Sequence, residues 1–240
     1  GNEANAVMSI ETKLAEASMK REDLRVPEAR YHKMKVADLK ALAPEFGWDA
    51  YFKGIGVNFA DLNVGMPDFV KAESKLLTAT SLDDWKTYLR WHLVNSRAAA
   101  LPKKFVDEDF DFRGKTLAGT QELLPRWKRC VQSSDQALGE AIGPMYVRKQ
   151  FPPEAKARAV TMVQNLIAAL HDDLQTLSWM SDTTRQRASA KLEAFVRKIG
   201  YPDKWRDYSS VRIDRQSYAG NIDRVSNFET HRQWAKIARP

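Results

Sequence analysis

A single cysteine, Cys130, stands in 240 residues. That excludes a disulfide framework within the chain and any cysteine-based zinc site. Histidine is nearly as scarce: His32, His92, His171 and His231 are the four, and successive ones are at least 60 residues apart. Two imidazoles on one helix face, with a glutamate between them as general base, are therefore missing. Glycine counts 11 and is scattered, so no flexible linker divides the chain. No apolar run approaches the roughly 18 residues of a membrane span. No charged segment followed by an apolar one opens the chain as a secretion signal would.

What is present is the material of a folded protein. Hydrophobic residues make up 43% and charged residues 29%, proportions ordinary for a globular chain. Seven Trp, seven Tyr and ten Phe are too many large apolar groups for a disordered one. The net charge of +7 favours acidic partners in general and chooses none in particular. Both ends run into helical patterns, at Asn2-Glu3 and at His231 to Pro240, so the chain reads as a fragment.

The periodicity is almost wholly helical. Val7, Ile10, Leu14 and Ala17 mark a stripe over the first two dozen residues. Val36, Leu39 and Leu42 form a second piece closed by Pro44. Trp48, Tyr51, Phe52 and Ile55 form a third, closed by Gly54 and Gly56. Residues 57–64 alternate weakly (Val57, Phe59, Leu62, Val64), which predicts a short edge strand. Pro67 suits a first helical position, where its missing N–H costs nothing. Ser81 followed by Asp83 and Asp84 signals a helix start, with Trp85, Leu89, His92, Leu93 and Ser96 on one face. Leu123, Trp127, Cys130, Val131, Ala137 and Leu138 continue the theme.

Pro152 and Pro153 open a long helix reaching about Met180, with Val160, Val163, Leu166, Ile167, Leu170, Leu174 and Leu177 inside. Ser181 caps the next, whose buried side carries Ala188, Leu192, Phe195 and Ile199 and which Gly200 and Pro202 end. Residues 208–213 have an extended look. Asp214 is placed to cap a last helix through Tyr218, Ile222, Val225, Phe228 and Trp234. The softest joints fall at 44–64, 100–104 and 200–214.

Reactive constellations are absent from this pattern. Gly114-Lys115-Thr116 has the last letters of a phosphate loop, but Asp109 occupies the position of its first glycine, so a helix end and turn is expected. No Gly-x-Ser-x-Gly occurs. Cys130, on a face with Leu123 and Trp127, reads as core packing despite Arg126, Lys128 and Arg129 beside it. His92 reads as a half-buried, hydrogen-bonded histidine, and His171-Asp172-Asp173 as a solvated face. Arg126/Lys128/Arg129, Arg148/Lys149, Arg185/Arg187/Lys191 and Arg197/Lys198 are basic clusters on several helices. A nucleic-acid binder would concentrate such charge on one element.

Five segments, in order and at fitting spacing, resemble the N-terminal helical region of the neprilysin and endothelin-converting-enzyme family of zinc metallopeptidases. They are Tyr31-His32-Lys33-Met34, Leu124-Pro125-Arg126-Trp127-Lys128-Arg129-Cys130-Val131, Gly143-Pro144-Met145-Tyr146-Val147, Leu174-Gln175-Thr176-Leu177-Ser178-Trp179-Met180 and Lys198-Ile199-Gly200-Tyr201-Pro202-Asp203. The resemblance implies a mainly α, multi-helix lid-type region over 1–240, with at most a few short strands and without the zinc-binding catalytic subdomain.

It further implies a parent enzyme, periplasmic or secreted, that cleaves oligopeptides in a central cavity whose access this region restricts. Zinc belongs to that parent, and none to this chain. The Asn-Ala segment and the His-Glu-x-x-His helix of the family have no counterpart here. No catalytic, cofactor-binding or metal residue is therefore carried over, and this chain alone is expected to be inactive. The partners implied are the catalytic portion and, in the full enzyme, oligopeptides. In the family's animal members the cysteine matching Cys130 pairs with one nearer the N-terminus, and this chain has no second cysteine. Rival readings are a cationic helical module for nucleic acid or another acidic partner, and a helical scaffold for a protein partner.

Overall fold

The structure, a computed structural model, describes residues 1–237. Ten α-helices and one two-stranded ribbon are present among them. The chain divides into two compact units, Glu122–His231 and the remainder.

In the first unit, α1 (Asn2–Ala17) packs on α4 (Pro67–Ala79) and α5 (Leu82–Arg97). The α1 stripe points inward as its spacing requires: Val7 and Ile10 are buried, and Leu14 and Ala17 are half-buried. The helix stops at Ala17, short of the two dozen residues expected, where Ser18 turns extended (φ −76°, ψ 147°). α2 (Val36–Leu42) buries Leu39, and the Asp38 carboxylate accepts from the Lys35 N–H at 3.3 Å, closing its first turn. α3 (Trp48–Ile55) ends on Gly56 in the left-handed region (φ 69°), a conformation that favours glycine. Pro67 opens α4 as its first residue, and the Ser81 hydroxyl accepts from the Asp84 N–H at the start of α5.

The ribbon pairs β1 (Lys33–Lys35) with β2 (Asp61–Asn63), antiparallel, with Met34 opposite Leu62. The alternation over 57–64 thus marks a real strand, but a three-residue one. Its partner, Lys-Met-Lys, carries too short a pattern to be read from sequence. Asn63 completes the ribbon end: its side chain accepts from the His32 N–H at 2.7 Å and donates to the Arg30 carbonyl at 3.0 Å.

α6 (Lys103–Asp109) runs into a π-helical segment, Phe110–Leu117. Gly114-Lys115-Thr116 lies inside that segment, where a helix end and turn was expected. The wide π turn brings the Phe110 ring so close to Gly114 that a Cβ there would sit 2.3 Å from it.

The second unit holds α7 (Arg126–Gln150), α8 (Pro153–Thr176), α9 (Asp182–Glu193) and α10 (Tyr218–Trp234). α8 packs on α9, with Leu174 and Leu192 buried. α8 ends four residues before Met180, because the Arg185 guanidinium takes up the carbonyls of Gln175, Leu177 and Met180 and frees the chain from helical bonding. Ser181 caps α9 as expected, its hydroxyl accepting from the Thr184 N–H at 3.3 Å.

α9 stops at Glu193, well before Gly200, and leaves Phe195 and Val196 exposed. Gly200-Tyr201-Pro202 belongs instead to an irregular strap tethered to α8 through Lys156. Residues 208–213 form turns and coil with no strand partner. The cap of α10 is Ser217, which accepts from the Gly220 N–H, and Asp214 closes a turn with the Gln216 N–H. Of the helix read into the far end, α10 covers residues up to Trp234, and 238–240 lie outside the described residues.

Candidate functional site

The four histidines make separate contacts. His92 Nε2 lies 2.9 Å from Glu11 Oε1, half-buried as expected, linking α5 to α1. His171 contacts only its neighbour Asp172, at 3.6 Å, on an exposed face. His231 Nδ1 lies 2.9 Å from the Asn227 carbonyl on its own helix. His32 bonds through its backbone N–H in the ribbon. Among the described residues no group of three His, Cys, Asp or Glu side chains comes close enough to hold a metal ion.

Around His92 the first unit gathers its titratable groups. Burial lifts Tyr88 above the usual phenol range, and the Glu11 carboxylate, which accepts its hydrogen bond, adds to the shift. Glu73 on α4 is raised by burial. The stripe of α5 is not the one expected: Trp85, Tyr88, His92 and Asn95 face inward, while Leu89 and Leu93 are exposed. This inward face carries the contacts of His92 and Tyr88 with Glu11 of α1.

Two of the basic clusters are partly spent on local bonding. Arg129 donates to the Leu124 carbonyl at 3.0 Å, and Arg185 gathers the carbonyls that end α8. Arg185/Arg187/Lys191 shares no element with Arg126/Lys128/Arg129. The four clusters are spread over α7, α9 and the coil after α9, where a nucleic-acid binder would concentrate such charge on one element.

In the second unit several polar contacts join segments distant in sequence. The Lys156 ammonium donates to the Tyr201 carbonyl at 2.9 Å and to Asp203 at 2.8 Å, and sits 4.3 Å from the Tyr201 ring centre. That hydrogen bond holds the Asp203 carboxyl below the usual range. Asp207 is held low by the Ser209 N–H and hydroxyl. The Arg206 guanidinium lies between Glu140 on α7 (2.6 Å) and Glu229 on α10 (3.1 Å).

The larger departure from the sequence reading is apolar. Cys130, Trp127 and Val131, expected in a core, are exposed, because the first half of α7 presents that face to solvent. On α8, Val160, Val163 and Ile167 are half-buried, whereas Met162, Leu166 (62% exposed) and Leu170 stand out at four-residue spacing. Ala157, Arg158, Thr161, Met162, Asn165 and Leu166 line a shallow open depression there. Trp179 is 75% exposed. Helical periodicity locates an apolar face but cannot say what covers it. No helix is long and apolar enough to cross a membrane among the described residues.

Known proteins share this sequence and fold. Residues 1–202 match the sequence profile of peptidase family M13. Endothelin-converting enzyme 1 of Rattus norvegicus is 32% identical over 202 residues, and that of Homo sapiens 31%; each match covers 82% of this chain and 26% of the relative. The zinc metalloprotease 1 of Mycobacterium tuberculosis, solved in an open state, superposes with a TM-score of 0.87 at 38% identity, over 99% of this chain and 37% of that one. Its inhibitor complex gives 0.86 at 37%, over 100% and 36%. PEPO of Lactobacillus rhamnosis, at 22% identity, shares the fold with a TM-score of 0.82 over 97% and 37%. The chain thus spans about a quarter of the curated relatives' length and over a third of the solved chains'. It matches them through a mainly helical region, and the chain belongs to peptidase family M13, the neprilysin and endothelin-converting-enzyme family.

Proposed function

We propose that these 240 residues form a non-catalytic helical wall of an M13 zinc metalloendopeptidase, enclosing a central cavity and limiting its substrates to oligopeptides. One observation carries the reading. The chain exposes 18338 Å². One compact domain of 27.4 kDa exposes about 11,000 Å², and even two separate domains of half that mass expose about 13,000 Å² together. Several thousand Å² of protein surface are therefore in excess of what independent folding leaves. Exposed apolar groups such as Leu166, Trp127 and Trp179 are part of it. Such surface suits a wall that lines a chamber and meets a further portion of protein.

The partner is the catalytic portion, which supplies the zinc site. His-Glu-x-x-His does not occur in these residues, so no catalytic or metal-binding residue is assigned to them. The resemblance supports a periplasmic or secreted setting for the parent enzyme. The whole of 1–240 serves as one functional region. The test is peptide hydrolysis by the purified chain, alone and co-expressed with the catalytic portion of the M. tuberculosis relative. The chain alone is expected to cleave nothing, and the pair to cleave short peptides while sparing folded proteins. Chelator-sensitive cleavage by the chain alone overturns the assignment.

A further inference from the structure

α7 is not one helix but two. Leu138 leaves the helical region (φ −130°, ψ 29°) near the middle of its 25 residues. The local sequence explains why a break is cheap there. Gly139 and Gly143 are weak helix formers, and Pro144 has no N–H to give to the Glu140 carbonyl.

Each half is then held from outside by a different contact. Before the bend, the Tyr218 hydroxyl at the start of α10 donates to the Ser133 hydroxyl. After the bend, Arg206 grips Glu140 twice, through its backbone N–H at 2.9 Å and its guanidinium at 2.6 Å, and reaches Glu229 near the end of α10 at 3.1 Å. Its neighbour Trp205 lies flat against Gly143, where a Cβ would come within 2.3 Å of the indole. The contacts of Trp205 and Arg206 with Glu140 and Gly143 thus lie beyond the break, while α10 bonds to one half directly and to the other through Arg206.

We propose that α7 is a two-segment lever hinged at Leu138, with Arg206 as the latch that sets its angle. With Arg206 bonded to both glutamates the angle is fixed. Without it, the first half, which carries Trp127, Cys130 and Val131, keeps its Ser133 bond to α10 but loses the guanidinium's hold on the second half, and swings. A bend that packing alone dictated would not depend on the guanidinium. The proposal does not rest on the peptidase reading, and its test needs no activity.

The experiment measures the distance between spin labels on Cys130 and on an Arg148→Cys variant, both exposed and on opposite sides of the bend. A straight helix would hold these Cα atoms about 27 Å apart. The otherwise unaltered chain is expected to give one narrow distribution, shorter than the straight value. Arg206→Met and, separately, Gly143→Ala, which displaces Trp205, are each expected to widen it about two-fold as the hinge samples several angles. Gly139→Ala added to Arg206→Met shifts it towards the straight-helix value, since alanine favours continuous helix. Arg206→Lys keeps the charge but loses the fork, and gives the same reading should Arg206→Met not fold. Distributions that superimpose on the parent in the folded variants overturn the proposal.

Discussion

The ammonium of Lys156 on α8 reaches 47 residues along the chain to the Asp203 carboxylate, at 2.8 Å, and to the Tyr201 carbonyl beside it. This one side chain ties the strap to α8. Lys156→Met is expected to leave the helices intact while the Tyr201–Trp205 amides exchange hydrogen several-fold faster. Exchange mass spectrometry over that segment checks it. Asp203 is held below its ordinary value, so its contribution is present above the unfolded carboxylate value and fades as pH falls through the lower folded one. Asp203→Asn should therefore flatten the acid side of the stability profile.

Glu73 gives the opposite sign. Burial raises its carboxyl, so the folded state holds that proton more tightly than the unfolded one. Its effect favours folding in acid and is lost as pH rises above the ordinary carboxylate value. Glu73→Gln is expected to raise the unfolding midpoint at about pH 7 and to change it little at about pH 4. Thermal melts at the two pH values decide it.

Ile10 and Leu166 are both aliphatic and both on helical stripes, yet one is 1% exposed and the other 62%. Ile10→Ala should destabilise the first unit by about 2–5 kcal/mol. Leu166→Ala should fall within about 0.5 kcal/mol in the chain alone. Denaturant titration of the two variants separates them. A large loss at Leu166 would show that the α8 stripe is already covered.

Cys130 is the chain's one thiol and is exposed. It should react with an aromatic disulfide reagent in native buffer as completely as in denaturant, one thiol per chain. A reaction that waits for denaturant would contradict the exposed face of α7.

Much of the helical layout was legible in the residues. Pro67, Ser81 and Ser181 announced helix starts through chemistry confined to one turn, and each stands where that chemistry places it. The stripe of α1 was legible because its residues meet α4 and α5 of the same unit. The failures share a cause. α9 was carried on towards Gly200, and α8 to Met180, because neither Lys156 nor Arg185 betrays in sequence which distant carbonyls it will bind. The three-residue β1 carries too few side chains for any period to show. At the site level, the place of Arg206 is not legible in sequence, since an arginine between two glutamates 66 and 23 residues away leaves no local pattern.

By itself the order of residues determined that this protein is helical, which family's segments it carries, and that no two of its histidines stand at the spacing of a zinc-binding helix. Those are matters of side-chain identity and of spacing within a few turns. Only the tertiary structure decided which apolar faces are covered, where Trp127, Leu166 and Trp179 stand, and how Arg206 joins α7 to α10. Periodicity marks a face as apolar, but burial depends on whether another surface arrives to meet it, and that is a property of the assembled chain.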